Sequence, residues 1–549
     1  MKRIGLGIED FKKFLDNNYY YIDKSDFIAD IWDNQVTLFT RPRRFGKTLN
    51  MSMLYYFFSI NEKENAYLFS KLNIINNNAL MIHQNQYPVI FISFKDLKSS
   101  SYNTFIDDFK VYISKIFSQF DELQNSDSLD DFDKIIFNQI KTMTANVSIL
   151  KSSLHYLSIF LEKHYSNKVI LLIDEYDVPL QYAYINDNSF NGYYDQLSEF
   201  MRVLFSTVLK TNTSLEKGIL TGCLRIAKES IFTGLNNFKT FSITDEASSS
   251  HFGFTQNEIN ELLDYYHLND YYENLKEWYD GYLFGDVEIY NPWSTLNYVY
   301  QLLNSNNKSP VSFWANTSGN DIVYNYIKDS DDLMKQEFEL LVQGQSIVKD
   351  IYPELTYRDM DEQDNIYSFM LFTGYLRIKK QISYRKYEIV IPNKEVLTIF
   401  KDSFMKYFNY YIKDRKKEFV NALKSENVIL ANTILNNILQ NSISFYDNYE
   451  NFYHGFMVGL LAGYKVKSNH EIGNGRFDII LLNENIIDKS IVIECKHSLY
   501  LNRLEEDSIK AVKQIKDKGY IEGLLEEGYR NVIGYGISFY KKACYITKL

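Results

Sequence analysis

RFDIILLNENIIDKSIVIECK, residues 476–496, sets Asp478 ahead of an apolar run, follows it with a polar turn, and ends a second apolar run in Glu494, Cys495 and Lys496. Strand side chains alternate between faces, so Glu494 and Lys496 project from one side and Cys495 from the other. Pairing the two runs as a hairpin brings Asp478 beside them. Two carboxylates offer hard oxygen ligands to a divalent cation, and an ammonium group can then steady a water or the charge on a transferring phosphoryl group. The pattern fits metal-assisted phosphodiester hydrolysis. Its bland alternative is a solvated hairpin.

The flanks add to the first reading. Residues 450–462, ENFYHGFMVGLLA, form an apolar helix opened by Glu450. Residues 503–518 read as an amphipathic helix carrying Lys513 and Gln514, and strand-like runs follow at 531–539 and 543–547. Helix, three strands, helix, strand is the resulting order. In these elements the last hundred or so residues resemble the PD-(D/E)XK nuclease superfamily, in the branch found behind an ATPase domain. The resemblance implies a restriction-endonuclease-like α/β domain in which Glu450, Asp478 and Glu494 hold one or two Mg2+ or Mn2+ ions. It also implies that Lys496 orients or activates the nucleophile and that Gln514 steadies the substrate or a site water. DNA is the expected substrate, because the superfamily mostly cuts DNA; RNA is the alternative.

A chain of 549 residues has room for two to four well-buried domains. Hydrophobic residues at 45% and charged residues at 23% describe an ordinary globular protein. With only 7 prolines, extended Pro-rich linkers are not expected. The net charge of −11 means that a polyanion must be met by a local basic patch, which argues against a nucleic-acid coat protein. Cys223, Cys495 and Cys544 make neither a disulfide framework nor a zinc pattern, which fits a reducing compartment. The N-terminal stretch lacks the apolar core of a secretory signal, and the best apolar run, 455–463, is too short to cross a bilayer. A cytoplasmic protein without membrane partners is expected.

Toward the N-terminus, a helical lead at 9–15 precedes a strand-like run at 36–40 and then RPRRFGKTLNMSML from Arg41. Gly46-Lys47-Thr48 at a strand-to-helix junction has the parts of a phosphate cradle. The helix N-terminus presents free N–H groups, Lys47 reaches terminal phosphates, and Thr48 ligates magnesium. The glycine that opens the usual GxxxxGK[ST] pattern is replaced by Arg41, and a basic turn opening a helix is the plain alternative. A strand at 89–94 and a helix at 151–165 follow. KVILLIDEYD, 168–177, then reads as a buried parallel strand delivering carboxylates at its C-terminal end, about 125 residues after the GKT. Asp174 would hold magnesium through water and Glu175 would polarise the attacking water. After a helix at 195–209, a fourth strand at 217–222 places Thr221 where a polar side chain reads a γ-phosphate, with Arg225 and Lys228 just beyond. The candidate nucleotide set is Arg44, Gly46, Lys47, Thr48, Asp174, Thr221 and Arg225, with Thr48 and Asp174 on the metal.

Five strings carry a second resemblance: RPRRFGKT (41–48), LLIDEYD (171–177), LTGCLRIAKESIFTGLNN (220–237), WYDGYLFGDVEIYNPWS (278–294) and WANTSGN (314–320). Through them, residues 1 to about 300 resemble the AAA-ATPase-like family, whose own version of the loop has the arginine at this position. The resemblance implies an ATP- and magnesium-binding P-loop domain with a parallel sheet and a helical lid region. The expected organisation is an ATPase domain at 1–260, a lid or helical, winged-helix-like region at 261–400, a helical arm at 401–445 and the nuclease domain at 446–549. Trp278, Tyr282, Tyr290, Trp293 and Trp314 read as core and lid packing rather than a base-stacking platform. The basic cluster KKQISYR, 379–385, reads as a solvated hairpin in preference to a phosphate-backbone contact.

The expectation is an ATP-binding and ATP-hydrolysing protein fused to a metal-dependent nuclease, with ATP gating or driving cleavage. Gating is the more economical form, because no basic stripe for a nucleic-acid track is evident. Two other classes fit the same residues: a nucleotide-controlled switch that binds nucleic acid or a partner without cutting, and a scaffold that oligomerises on ATP. A homo-oligomer is compatible with each.

Overall fold

Residues 1–187, 192–225, 232, 238–314, 331–355, 357–361, 365–442, 450–461, 463–468, 471–472, 475–476, 478–483 and 485–549 are described by a computed structural model. The chain divides into two units, Met1–Ile322 with Ser330–Phe400, and Val323–Asp329 with Lys401–Leu549.

In the first unit, β1 (Val36–Thr40), β2 (Val89–Ser93), β3 (Val169–Asp174), β4 (Leu215–Gly222) and β5 (Phe238–Phe241) form a parallel sheet in the order β2-β3-β4-β1-β5. Every residue of β1 and β3 is buried, as continuous apolar runs require when helices cover both faces. Parallel register aligns the carboxyl ends: Ser93 lies beside Asp174, and Thr40 beside Gly222. Ligands of open α/β sheets bind at that edge. The segments that follow β1, β3 and β4 all start there.

The stretch expected to be a helical lid is instead mixed. It contains β7 (Tyr282–Phe284) and β8 (Val287–Tyr290), which form a three-stranded sheet with β6 (Phe254–Thr255) just ahead of it, and a second sheet of β9 (Ile347–Asp350), β10 (Arg377–Ser383) and β11 (Lys386–Val390). Short half-buried strands have weak periodicity, and their charged residues imitate a helix surface. The helices Gln256–Tyr266, Tyr272–Tyr279 and Pro292–Asn304 pack around Tyr290 and Tyr298. Tyr282, Tyr290 and Trp314 are buried, as core packing requires, whereas Trp293 is half-exposed.

Glu395, buried near the start of the helix Lys394–Lys424, accepts from the Ser294 hydroxyl (3.0 Å) and from the N–H groups of Phe313 and Trp314 (2.8 and 2.9 Å). All three bonds fall on Oε1, leaving Oε2 buried and without a partner among the described residues. Burial pushes this carboxyl from 4.5 up to about 7. Between those values the folded chain retains a proton that the unfolded chain releases, so stability falls as pH rises through the window, by about 3 kcal/mol in all. Glu395→Gln is expected to flatten the dependence of melting temperature on pH between 4.5 and 7 and to exceed wild type in stability above it. Superimposable pH profiles for the two proteins would refute this.

The second unit is built on a mixed sheet of β12 (Lys465–Ser468), β15 (Ile479–Leu482), β16 (Ser490–His497), β17 (Val532–Tyr540) and β18 (Ala543–Lys548), in that order; only β16 and β17 are parallel. A small hairpin of β13 (Glu471–Ile472) and β14 (Gly475–Arg476) precedes β15. Period-two alternation sorts the faces. Ile479, Leu481, Ile491, Ile493 and Cys495 join one core with the helices Val428–Ser442 and Glu450–Leu460. Ile480, Leu482 and Val492 join the other with Ile515, Tyr520 and Leu524. The arm expected at 401–445 is therefore no free connector: Phe419 and Leu423 on one helix and Ala431, Leu435 and Ile438 on the next, three or four apart within each, pack into the first of these cores. On the opposite face, a Cβ at Gly536 would sit 2.2 Å from the Ser508 carbonyl oxygen, so glycine lets the helix Leu504–Asp517 lie close on β17.

Candidate functional site

The loop after β1 turns on two left-handed residues, Arg44 (φ 71°) and Gly46 (φ 83°). Nothing crowds Gly46, so its backbone angle rather than space calls for glycine there. Gly46 caps the helix Lys47–Phe58 without a side-chain hydrogen bond to its first N–H groups, an arrangement open to an anion. Arg41 is fully buried. Its guanidinium donates to the carbonyls of Thr40 (2.9 Å), Phe241 (2.8 Å) and Ser248 (3.0 Å) and packs against Phe252 and Phe284, both 5.2 Å away. Burial lowers its pKa to about 9. Where the common pattern has glycine, this loop is stapled to the core from behind.

Lys47 is 3% exposed, and its ammonium donates to the carbonyls of Arg41 (3.1 Å) and Pro42 (3.0 Å) and stands 3.8 Å from Glu175 Oε1. Burial opposes its charge, yet Cys223, Glu175, Asp174 and Asp177 together hold its pKa above the ordinary value. Beneath it, Thr48 Oγ1 donates to Asp174 Oδ2 (2.8 Å), and Thr221 Oγ1 donates to Asp174 Oδ1 (2.5 Å). Burial first, and then Glu175, pushes the Asp174 carboxyl upward. Glu175 itself stands at φ 54°, a left-handed conformation that costs a non-glycine residue about 1–3 kcal/mol. Asp177, which the sequence did not single out, accepts from the N–H groups of Cys223 (2.9 Å) and Leu224 (3.0 Å) and ties the end of β4 to the end of β3.

Beside the loop lies a cavity of about 350 Å³. Arg44, Gly46, Lys47, Thr48 and Glu175 line it together with apolar side chains including Ile8, Phe254 and Leu296. Trp293 also lines it, with the Arg44 guanidinium 4.5 Å from its ring centroid. Arg44 thus enters through a stacking contact that only the fold creates. Arg225 departs from its expected place. It pairs with Glu354 at 3.0 Å and is not among the residues lining the cavity. Lys228 lies outside the described residues.

In the second unit, antiparallel pairing of Ile479 with Ile493 sets Asp478 next to the end of β16. Asp478 Oδ2 accepts from the Cys495 N–H at 2.8 Å. The Lys496 ammonium stands 3.5 Å from Glu494 Oε1, and the Gln514 amide donates to that same oxygen. Glu494 Oε2 is buried without a partner among the described residues. Burial, reinforced by Asp478, pushes the Glu494 carboxyl up to about 7. Glu450 is the first residue of the helix Glu450–Leu460, but its side chain lies outside the described residues.

Among the described residues no group of three His, Cys, Asp or Glu side chains is poised around a metal. The pair present nonetheless suits a hard cation. Two carboxylates repel each other across a short gap, and one holds an orphaned buried oxygen. Two further groups were not legible beforehand: His454, whose Nε2 hydrogen-bonds the Asp478 carbonyl at 3.0 Å, and Tyr520, whose hydroxyl hydrogen-bonds Gln514. His454 acts across 24 residues and Tyr520 from the next helix along, and no local pattern marks either.

Residues 5–232 match the family described as predicted AAA-ATPase, AAA-ATPase-like, and residues 448–549 match the PD-(D/E)XK nuclease superfamily. An uncharacterized protein in the vnfD 5'region of Azotobacter chroococcum mcd 1 is 24% identical over 297 residues, covering 54% of this chain and 51% of that protein. The chain thus matches about half the length of that relative. Among the described residues, no helix is long and apolar enough to cross a membrane.

Proposed function

We propose that this chain, which joins an AAA-ATPase-like domain to a PD-(D/E)XK nuclease superfamily domain, is an ATP-controlled nuclease that hydrolyses phosphodiester bonds in DNA. The observation that carries the reading is the clustering of Asp478, Glu494, Lys496 and Gln514 at the end of β16, where Lys496 and Gln514 engage Glu494 Oε1 and Oε2 is left buried without a partner among the described residues. Asp478 and Glu494, joined by Glu450, would hold magnesium or manganese. When bound, the ion supplies Lewis-acid charge to the phosphate and lowers the pKa of an attacking water. Gln514, hydrogen-bonded by Tyr520, would hold the Glu494 carboxylate through Oε1 and leave Oε2 for the ion. Lys496 places a compact positive charge beside the reacting phosphate, where negative charge grows in the transition state.

In the first unit, Lys47 and the N–H groups opening its helix would cradle the ATP phosphates. Thr48 and Asp174 would hold magnesium, and Glu175 would orient the hydrolytic water. The apolar side chains of the cavity suit the base, and Arg44 over Trp293 suits the phosphates or sugar. ATP acts as a gate in this reading. The test is cleavage of labelled linear, circular and single-stranded DNA, and of RNA, with magnesium or manganese, with and without ATP. Metal-dependent DNA cleavage whose rate changes with ATP is expected. An absence of cleavage of every substrate would replace the nuclease with a nucleotide-controlled switch.

A further inference from the structure

We infer that the hairpin of β10 and β11 is a second nucleic-acid contact, which holds the phosphate backbone of a duplex through Lys380, Arg385 and Lys386. This rests on the nuclease reading for the identity of the polyanion and adds a surface that the reading does not contain. Residues 377–388 carry five cations (Arg377, Lys379, Lys380, Arg385, Lys386) and one acid, Glu388, a local charge of +4 in a chain whose net charge is −11. The sequence favoured a plain solvated hairpin at this cluster. Its display in the fold argues otherwise.

Residues 379–386 are all exposed; β10 is the free edge of the sheet ordered β10-β11-β9, and Lys386 opens the central strand just past the turn. Glu388 is already engaged by Lys379 at 2.7 Å, and the other acid of the sheet, Asp350, stands directly across from Lys386 on the adjacent strand β9. Among the described residues no carboxylate forms an ion pair with Lys380, Arg385 or Lys386. Lysines on an edge strand also guard against strand addition. That role does not account for the tip, where Tyr384 is 81% exposed and Ile382 is 51% exposed. Arg385, at φ 62°, closes the two-residue turn and lies over the rings of Tyr352 and Tyr384, 5.5 and 5.2 Å from their centroids. The two rings hold its guanidinium at the turn, where Arg385 is exposed.

Cations along the open edge strand β10 and its turn meet phosphates of a duplex backbone, and the exposed aromatic at the turn adds contact beside them. An anionic membrane would also attract these charges, but two apolar side chains bury too little area to anchor the hairpin in lipid.

The test uses the full chain and a labelled 30-base-pair duplex, with binding followed by fluorescence anisotropy from 50 to 300 mM salt in EDTA. The variant is Lys380→Gln/Arg385→Gln/Lys386→Gln. A second variant, Lys63→Gln/Lys71→Gln/Lys115→Gln, removes the same charge from exposed positions elsewhere. The hairpin variant is expected to lower the slope of log affinity against log salt by about 2.7, or about 0.9 for each lost phosphate contact, and to bind at least about tenfold more weakly at low salt. The control should match wild type, and all three should melt alike. Equal binding by the hairpin variant, or an equal loss in the control, overturns the proposal. So does a loss confined to phosphatidylserine vesicles with duplex binding intact. Cleavage by wild type on the same duplex with manganese separates the two readings. A protein that cuts but binds without the hairpin sinks this inference alone. One that binds through the hairpin yet never cuts sinks the nuclease and supports the hairpin.

Discussion

Lys496→Ala is expected to lower the cleavage rate by about 10²–10³-fold with little change in melting temperature, as measured on labelled DNA with manganese under single-turnover conditions. The size follows from the geometry. Lys496 is the one cation placed against the carboxylate pair in the described site, and its side chain is 28% exposed, so it faces solvent and substrate rather than the core. Truncation leaves both cores intact but removes the charge that would meet the developing negative phosphate. It also removes a favourable neighbour of Glu494, whose pKa the ammonium holds down. Metal binding, read by titration calorimetry with manganese, should weaken only a few-fold in Lys496→Ala and collapse in Asp478→Asn. Lys496→Arg is expected to recover part of the rate at most, because a planar guanidinium does not occupy the volume of a compact ammonium. If Lys496→Ala cleaved as fast as wild type, the activity would belong to a contaminant and the role given to Lys496 would be lost.

How much of this could be read from the chain depends on the range of the interactions involved. Asp478, Glu494 and Lys496 were legible as a set because two apolar runs separated by a turn fix a period-two parity, and parity alone puts Glu494 and Lys496 on one face. The buried strands β1 and β3 were legible for the same local reason, as continuous apolar runs ending in polar residues. Arg41 was not. Its partners are backbone carbonyls at Phe241 and Ser248, some 200 residues on, and no spacing foretells them. Arg225 was placed by proximity to β4, but an acid from a distant segment, Glu354, takes it. The hairpin at 379–385 was legible as such, but the full extent of the β9–β11 sheet was not, for a different reason. Most of β10 is exposed, so the alternation that marks a half-buried strand is absent. The left-handed turn at Glu175 was hidden too, since an Asp-Glu pair gives no signal of positive φ.

Glu175→Gln is expected to slow ATP hydrolysis by about 10²–10⁴-fold while ATP still binds, because an amide keeps the shape of the carboxylate but neither accepts a proton nor polarises water as strongly. Glutamine at φ 54° bears the same backbone strain as glutamate, so the substitution changes charge without moving the turn. Lys47 loses one carboxylate neighbour but keeps Asp174 and Asp177, and its bonds to the loop carbonyls do not involve Glu175. Phosphate release and DNA cleavage would be measured in the same reaction. If ATP acts as a gate, the occupied state alone sets the nuclease rate, and Glu175→Gln with ATP cleaves as wild type does with a non-hydrolysable analogue. If each cut requires turnover, cleavage falls in step with hydrolysis and the gate is wrong. Lys47→Ala completes the comparison: it should lose nucleotide binding and leave cleavage at the level wild type shows without ATP. A Glu175→Gln protein that hydrolysed ATP at the wild-type rate would remove Glu175 from the reaction and move the search for the water-orienting group to the other carboxylates near Lys47, Asp174 and Asp177.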